Sequence, residues 1–277
     1  MLPLLESIHN PKIKDVLSLL EKPKERQRRG LFVVEGIREV SLALKAGFFP
    51  QALYYLPQII PNPNSLFQLP QAFRCQSVSK TVYQKIAYRD GTEGVVAVMR
   101  QKELLLSNVS LSPNPLILVM EGVEKPGNIG AILRSADAAQ ADAVLVCDPL
   151  CDLFNPNLIR SSLGAIFSSN VIICSSLEAL HWLQKSRIDI YAATLQDSFL
   201  YTQPNYSMGC AFVVGAEAHG LSLVWRKAAK ACIHIPMRGS VDSLNVSVSA
   251  AILMFEAARQ RCFLLSNNLS SELTKPQ

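Results

Sequence analysis

Polar residues able to bind a ligand or assist a reaction cluster at the ends of three apolar segments of this 277-residue chain. The segments are LILVMEGVEKPGNIGAILRSADA, CAFVVGAEAHGLS and IHIPMRGSVDSLNVSVSA. Each begins as a buried strand would, turns at glycine or proline, and continues with a helical pattern. Parallel strands present their carboxyl ends at one edge of a sheet, where helix N-termini offer unpaired N–H groups, so the three turns predict a ligand site there.

The third segment leads into a long predicted helix over residues 242–260. Its strand is predicted over residues 233–237, and Asp242 or Ser243 is predicted to cap the helix. Five residues recur at helical spacing and predict one apolar face. They are Leu244, Val248, Ala251, Phe255 and Ala258.

The glycines at these strand ends leave two chemical interpretations open. A nucleotide-phosphate site would use such turns, but no G-x-G-x-x-G follows a strand, and GAEAHG lacks the Lys-Ser/Thr of a P-loop. Alternatively, the glycines only close tight turns.

Composition narrows the class of protein. Hydrophobic residues make up 49% of the chain, which suffices for a packed core, and no apolar run is long enough to span a bilayer. Seven scattered cysteines without a CxxC pair favour reduced thiols over zinc or disulfides. The start, MLPLLESIHNPKIKD, lacks the pattern of a secretory signal. We therefore expect a cytoplasmic protein with neither membrane nor metal as a partner.

The positive charge is concentrated in the first part of the chain. Residues 1–103 hold 15 Lys and Arg against 9 Asp and Glu, whereas residues 104–277 hold 12 against 13. The sharpest cluster is KPKERQRRG, residues 22–30. Such a cluster favours contact with a phosphate backbone, and a solvated loop is the alternative.

A segment rich in Ser, Asn and Pro, LLLSNVSLSPNP, predicts a linker between two domains, over residues 1–107 and 114–265. Strand and helix patterns alternate before it, which predicts a small α/β domain. After it, six apolar strands alternate with helices, which predicts a parallel sheet buried on both faces. From this pattern alone, the second domain would be doubly wound and Rossmann-like.

Together the three segments resemble the motifs of the SpoU (TrmH-type) RNA ribose 2'-O-methyltransferases of the SPOUT superfamily. The matching residues are Asn128, Gly130 and Arg134; Gly215, Glu217, Gly220 and Leu221; and Pro236, Gly239, Ser243, Leu244 and Asn245. Ala216 and Ala218 stand where the family often has a polar residue and glycine. The first domain resembles the L30e-like substrate-binding domain of many such enzymes, in GLFVVEGIREVSLAL and DGTEGVVAV.

This resemblance implies a fold and an activity that periodicity cannot show. The fold would include a C-terminal trefoil knot, and the C-terminal domain would form a homodimer. The activity would be methyl transfer from S-adenosylmethionine to a ribose 2'-hydroxyl of RNA, with ribosomal RNA favoured over tRNA. A non-catalytic RNA-binding protein with a degenerate methyltransferase half and a Rossmann-type nucleotide-binding enzyme are the alternatives.

The resemblance also implies roles for individual residues. Arg134 would be catalytic; because guanidinium stays protonated, we favour a phosphate contact and stabilisation of a developing alkoxide over general base catalysis. Asn128 would order the turn at its helix start, and Glu217 would fix the loops or Arg134. Ser243 and Asn245 would orient the ribose or brace the cofactor loop. Capping or surface ion pairing is the simpler alternative for each.

Two further sets of residues are expected to bind cofactor and RNA. The cofactor-binding set is Thr194, Leu195, Gly215, Ala216, Glu217, Ile235, Met237, Ser243 and Leu244. The RNA-binding set is Arg26, Arg28, Arg29, Arg134 and Arg160.

Overall fold

The first part of the chain folds around a four-stranded sheet in the computed structural model, which describes residues 2–70, 73–87, 93–168, 170–216 and 219–261. Its elements are α1 (Pro11–Glu21), α2 (Pro23–Arg29), β1 (Leu31–Glu35), α3 (Ile37–Lys45), β2 (Pro50–Tyr55), β3 (Gln76–Ser77), α4 (Lys80–Ile86) and β4 (Val95–Arg100). The strand order is β1-β4-β2-β3, with β4 antiparallel to both of its neighbours. Alternate residues of β1 face opposite sides: Val33 packs with α1 and α4, whereas Phe32 and Val34 pack with α3.

The basic cluster is a helix and not a loop. Pro23 has no backbone N–H to continue α1 and has the φ suited to a first helical position, so a new helix starts there. Gly30 ends α2 in the left-handed region at φ 59°. The side chains of α2 therefore point in different directions, and they do not share one environment.

The second part of the chain forms a seven-stranded, wholly parallel sheet, which confirms the predicted α/β class. Its strands are β5 (Leu116–Glu121), β6 (Ala143–Cys147), β7 (Val171–Cys174), β8 (Asp189–Ala193), β9 (Phe199–Leu200), β10 (Cys210–Gly215) and β11 (Ala231–His234). Its helices are α5 (Pro126–Ala138), α6 (Pro156–Ser162), α7 (Ala165–Ser168), α8 (Ser176–Lys185), α9 (Leu223–Ala228) and α10 (Val246–Gln260). Helices cover both faces, so the strands are continuously apolar.

Strand order departs from a simple doubly wound sheet. The order is β7-β6-β5-β10-β8-β11-β9. Strand β10 has five buried residues in succession and takes a central place between β5 and β8, whereas β9 consists of two exposed residues and takes the edge. This order makes β5, β10, β8 and β11 consecutive neighbours, so the loops after them meet at one edge of the sheet.

The last helix differs from its prediction in extent and in orientation. Strand β11 ends at His234, an irregular loop follows, and the helix starts only at Val246, capped by Asn245 and not by Asp242 or Ser243. The buried stripe packs against α5, β5 and β10. The buried residues of this helix are Val246, Ala250, Leu253, Met254, Glu256, Ala257 and Ala258. The predicted face was therefore wrong for Val248 and Phe255, which are 45% and 42% exposed.

The two sheets share one hydrophobic core. Phe32 and Phe48 of the first part pack against Phe154 and Phe167 of the second, with ring centroids 4.4 Å apart for Phe32–Phe154 and 5.3 Å apart for Phe48–Phe167. All four rings are buried. Such an apolar junction opposes relative movement of the two parts.

No helix within the described ranges is long and apolar enough to cross a membrane.

Candidate active site

A cleft opens where β8 and β11 end, beneath the loop that leads into α10. Its volume is about 140 Å³. Six of the residues predicted to bind the cofactor line it, namely Thr194, Leu195, Ile235, Met237, Ser243 and Leu244. The remaining lining residues are Ala193, Ile233, His234, Asp242, Ser249 and Leu253. Apolar walls with a few hydroxyl groups suit a ligand with a flat apolar base and polar substituents.

The pairing of β8 with β11 positions residues that line this cleft. Ile233 of β11 lies opposite Ala193 of β8, and the N–H of Thr194 donates to the Ile233 carbonyl over 3.0 Å. Beside them, His234 Nδ1 and Ser198 Oγ form a hydrogen bond of 2.9 Å. That bond joins the loop before β9 to β11.

The described residues of the glycine-rich loop after β10 shape the sheet edge and are not among those that line this cleft. A Cβ on Gly215 would lie 2.3 Å from the carbonyl oxygen of Gly220, so only glycine fits. The N–H of Gly220 donates to the Ala216 carbonyl over 2.8 Å and closes the loop. Gly215 and Ala216 are thus not among the described residues that line the cleft. Glu217 and Ala218 lie outside the described residues.

A polar network that sequence reasoning missed joins the strand ends. The Glu121 carboxylate, at the end of β5, accepts hydrogen bonds from the Ser222 N–H (2.8 Å) and Ser222 Oγ (2.7 Å), and it lies 3.1 Å from Ser176 Oγ. The Trp225 indole N–H donates to Ser176 Oγ over 3.2 Å, and Ser176 Oγ donates to Asp148 over 2.6 Å. A carboxylate at a strand end, inside a recognised motif, was the signal that could have found Glu121.

Asn128 and Asn245 are far apart in the sequence but form a hydrogen bond in the structure. Asn245 Nδ2 donates to Asn128 Oδ1 over 3.2 Å, while Asn245 Oδ1 accepts from the Ser247 N–H over 2.9 Å. Asn245 therefore caps α10 and also joins it to the first turn of α5. Capping alone does not describe this residue. Asn128 itself is not the cap of α5, since Lys125 holds that position.

Arg134 lies on the exposed side of α5, six residues beyond Asn128 or about 9 Å along the axis. The opposite side buries Ile129, Ile132 and Leu133, as the sequence pattern predicted. Among the described residues, the Arg134 guanidinium has no hydrogen bond or ion pair. It is therefore available to a ligand and contributes nothing to the core.

The predicted RNA-binding arginines occupy three different environments. Arg28 is 69% exposed and pairs with Glu25, whereas the Arg29 side chain is 26% exposed. Arg160 is exposed on α6. Arg26 is only 1% exposed and its guanidinium is held by the protein interior, so its prediction as an RNA contact was wrong. Sequence alone could not separate it from its neighbours, because helix orientation decides burial.

Three of the thiols are poorly suited to a nucleophilic role. Burial raises the pKa of Cys75, Cys151 and Cys210 to about 11 each, so these thiols stay protonated near neutral pH. Within the part of the chain that the structure describes, no group of three or more His, Cys, Asp or Glu side chains could hold a metal ion.

Comparison with known proteins identifies the family to which this chain belongs. The model of the SpoU rRNA Methylase family matches residues 115–255, and that of the MRM3-like substrate binding domain matches residues 10–97. The 23S rRNA (guanosine(2553)-2'-O)-methyltransferase RlmP of Bacillus subtilis (strain 168) is 29% identical, over 91% of this chain and 97% of its own length.

Solved structures are similar over nearly the whole chain. The crystal structure of an RNA 2'-O ribose methyltransferase is 40% identical, with a TM-score of 0.79, over 94% of this chain and 99% of its own. The AdoMet-bound rRNA methyltransferase from Sinorhizobium meliloti is 28% identical, with a TM-score of 0.84, over 95% and 99%. With a family match over half its length and structural similarity over nearly all of it, the chain belongs to the SpoU rRNA Methylase family.

Proposed function

We propose that this protein transfers a methyl group from S-adenosylmethionine to the 2'-hydroxyl of a ribose in ribosomal RNA. The observation that carries the proposal is the cleft at the ends of β8 and β11, beside the hydrogen-bonded Asn128 and Asn245. It occurs in a fold shared with an AdoMet-bound rRNA methyltransferase. The relative from Bacillus subtilis is named for guanosine 2'-O-methylation of 23S rRNA.

The residues of the cleft fit S-adenosylmethionine. Ile233, Ile235 and Leu253 offer apolar surface to the adenine, and Thr194 and Ser249 offer hydroxyl groups to polar parts of the molecule. When bound, S-adenosylmethionine supplies a methyl group activated by a sulfonium centre. The protein's contribution is to orient the acceptor hydroxyl and to balance the charge that develops on its oxygen.

Arg134 is proposed to balance that charge. Its guanidinium is exposed and always protonated, and it sits on a helix anchored by a fully buried apolar face. A fixed cation stabilises a developing alkoxide, and the planar fork also suits an RNA phosphate. One guanidinium can contact both the alkoxide and the phosphate, because it has five N–H donors.

Asn128, Asn245 and Ser243 are proposed to hold the acceptor and the cofactor loop in register. The Asn128–Asn245 bond ties the helix that carries Arg134 to the helix that follows the cleft. Ser243 lies in the cleft wall two residues before Asn245. Glu217, outside the described residues, is proposed to fix the neighbouring loops.

The first part of the chain is proposed to be an L30e-like domain that binds folded RNA. Its surplus of basic residues supports phosphate contact, and Arg28 and Arg29 remain accessible on α2. Arg160, which is exposed on α6, would contact RNA from the second domain. The two proposed domains span residues 1–107 and 114–265.

The second domain is proposed to carry a trefoil knot and to form a homodimer in the cytoplasm. The exposed side of α10, with Val248 and Phe255, offers apolar surface to a second copy. The loop between β11 and α10 is the segment that a knot would thread.

The test is to map 2'-O-methyl groups in RNA from cells with and without the protein, and to repeat transfer in vitro with labelled S-adenosylmethionine. One ribosomal nucleotide should lose its methyl group in the deletion and regain it in vitro. Methylation of tRNA would change the proposed substrate from ribosomal RNA to tRNA. Cofactor and RNA binding without transfer would favour a non-catalytic RNA-binding protein, and methylation of a base would overturn the proposal.

A further inference from the structure

Arg26 is a buried charged residue that joins the two parts of the chain. Its Nε donates to Asp152 Oδ2 across the domain junction over 2.5 Å, and its Nη1 donates to the carbonyls of Leu19 (2.6 Å) and Leu20 (3.1 Å). The Arg26 side chain is 1% exposed and that of Asp152 is 9% exposed. The two carbonyls belong to the last turn of α1, which has no further helical N–H to bond them.

Asp152 is itself fixed within the second domain. Its Oδ1 accepts from the Phe154 N–H over 2.9 Å, in the loop between β6 and α6. Asn155 then caps α6 by accepting from the Asn157 N–H over 2.8 Å. Rotation of Asp152 would therefore disturb the entry into α6.

Helix α6 contacts the helix that carries the proposed catalytic arginine. A Cβ on Gly130 of α5 would lie 1.9 Å from Ser161 Oγ and 2.8 Å from the Ser162 nitrogen, so the two backbones touch there. Arg134 is one helical turn beyond Gly130. Contacts thus run without a break from α1 through Arg26 and Asp152 to α6 and α5.

We propose that Arg26 and Asp152 are positioning residues that set the angle at which the RNA-binding domain presents its substrate to Arg134. This proposal rests on the proposed function, in which the first domain holds RNA and α5 carries the catalytic group. Neither residue contacts substrate in this proposal; they act through α6 and α5.

An ion pair suits this task better than apolar packing alone. The neighbouring phenylalanine cluster attracts the two domains without strong directional preference. A buried guanidinium with three fixed acceptors permits one arrangement, because any rotation leaves a charged donor without a partner. Buried ion pairs in general contribute little net stability, and a role in specifying one geometry is consistent with their retention.

The test compares Asp152→Asn and Arg26→Lys with a matched control. Asp152→Asn keeps the size of the side chain and an oxygen for the Phe154 N–H, but places an amide opposite Arg26. Arg26→Lys keeps the charge and loses the planar fork. The control is Asp189→Asn, which breaks the exposed pair of Asp189 with Lys230 at 2.6 Å within the second domain.

Three measurements separate positioning from general damage. We expect both variants to lower the kcat of methyl transfer at least 10-fold, while the Kd for RNA and the Kd for S-adenosylmethionine each change less than 2-fold. A structural role alone would move all three together. The control should leave all three unchanged.

A distance measurement tests the same inference without the reaction. Spin labels on noncanonical residues at Leu66 and Leu177, which are 47% and 57% exposed on different domains, report the domain angle by pulsed electron resonance. We expect one narrow distance in the wild type and a broad or shifted distribution in Asp152→Asn. An unchanged distribution, an unchanged kcat, or equal loss of transfer and of both affinities would overturn the inference. Absence of transfer by the wild type, with the distance result intact, would instead count against the proposed function.

Discussion

Helices α5 and α6 pack closely at Gly130, and substitution there tests how tightly α5 is positioned. A Cβ at this position would meet Ser161 Oγ at 1.9 Å, Ser161 Cβ at 2.8 Å and the backbone nitrogen of Ser162 at 2.8 Å. The hydroxyl could rotate away, but the Ser162 nitrogen is a backbone atom of α6 and the position of Ser161 Cβ is fixed by that backbone. An alanine Cβ at 2.8 Å must move at least 0.6 Å to reach ordinary van der Waals contact at 3.4 Å, so Gly130→Ala must push α5 and α6 apart.

The same helix supplies a matched control. Gly127, in the first turn of α5, has open space around its would-be Cβ. Replacing glycine by alanine inside a helix stabilises it by up to about 1 kcal/mol. Overpacking a close contact costs about 1–3 kcal/mol. We therefore expect Gly127→Ala to be neutral or stabilising, and Gly130→Ala to be less stable than Gly127→Ala by about 1–3 kcal/mol, the overpacking cost alone.

Urea titration measures this difference as a shift of the midpoint at constant slope. Single-turnover methyl transfer should fall in Gly130→Ala, because α5 carries both Asn128 and Arg134, and it should persist in Gly127→Ala. Equal unfolding free energies for the two variants would show that α6 moves away from α5 at little energetic cost. The contact at Gly130 would then not be what fixes the position of α5.

Substitutions at three further residues test other parts of the molecule. Arg134→Ala should lower single-turnover transfer by about 10²–10³-fold and leave calorimetric S-adenosylmethionine binding and stability unchanged; Arg134→Lys should recover little, and near-normal transfer would remove Arg134 from the mechanism. Phe32→Ala removes a ring shared by both domains and should lower the urea-measured free energy of unfolding by about 3–5 kcal/mol; a loss below about 1 kcal/mol would mean that the junction repacks. Val248→Asp places an acid in the first turn of α10, where the helix tolerates it, and should convert a sedimenting dimer into a monomer; an unchanged dimer would place the interface elsewhere.

Local patterns predicted most of the secondary structure because their causes are local. Continuous runs of Val, Ile and Leu marked the strands of the second sheet, and turn residues marked their ends. The Pro11 and Pro23 helix starts and the Gly30 helix end also follow from single residues. The two-residue strands β3 and β9 have no such signal, since their pairing depends on neighbours brought close by the fold.

The orientation of elements escaped sequence reasoning for a physical reason. Helix α10 has apolar residues on more than one side, so spacing allowed two possible buried stripes, and contact with α5 and β10 selects the one that contains Leu253. In α2, Arg26 and Arg28 have the same charge and lie two residues apart. One is held inside the protein and the other faces solvent, because the helix presents different sides to Asp152 and to water.

The motif glycines can be recognised in the sequence, but the physical reason why each must be glycine is visible only in the structure. Gly215 and Gly130 stand out in the sequence beside residues of catalytic type, yet the atoms that exclude a side chain belong to Gly220 and to Ser161. The first partner is five residues away and the second is on another helix. A glycine required by a distant backbone carries no local signature, so only the packed structure assigns its role. The glycine turns place Asn128, Asn245 and the cleft at one sheet edge through close backbone contact, and the reactive side chains depend on that contact for their positions.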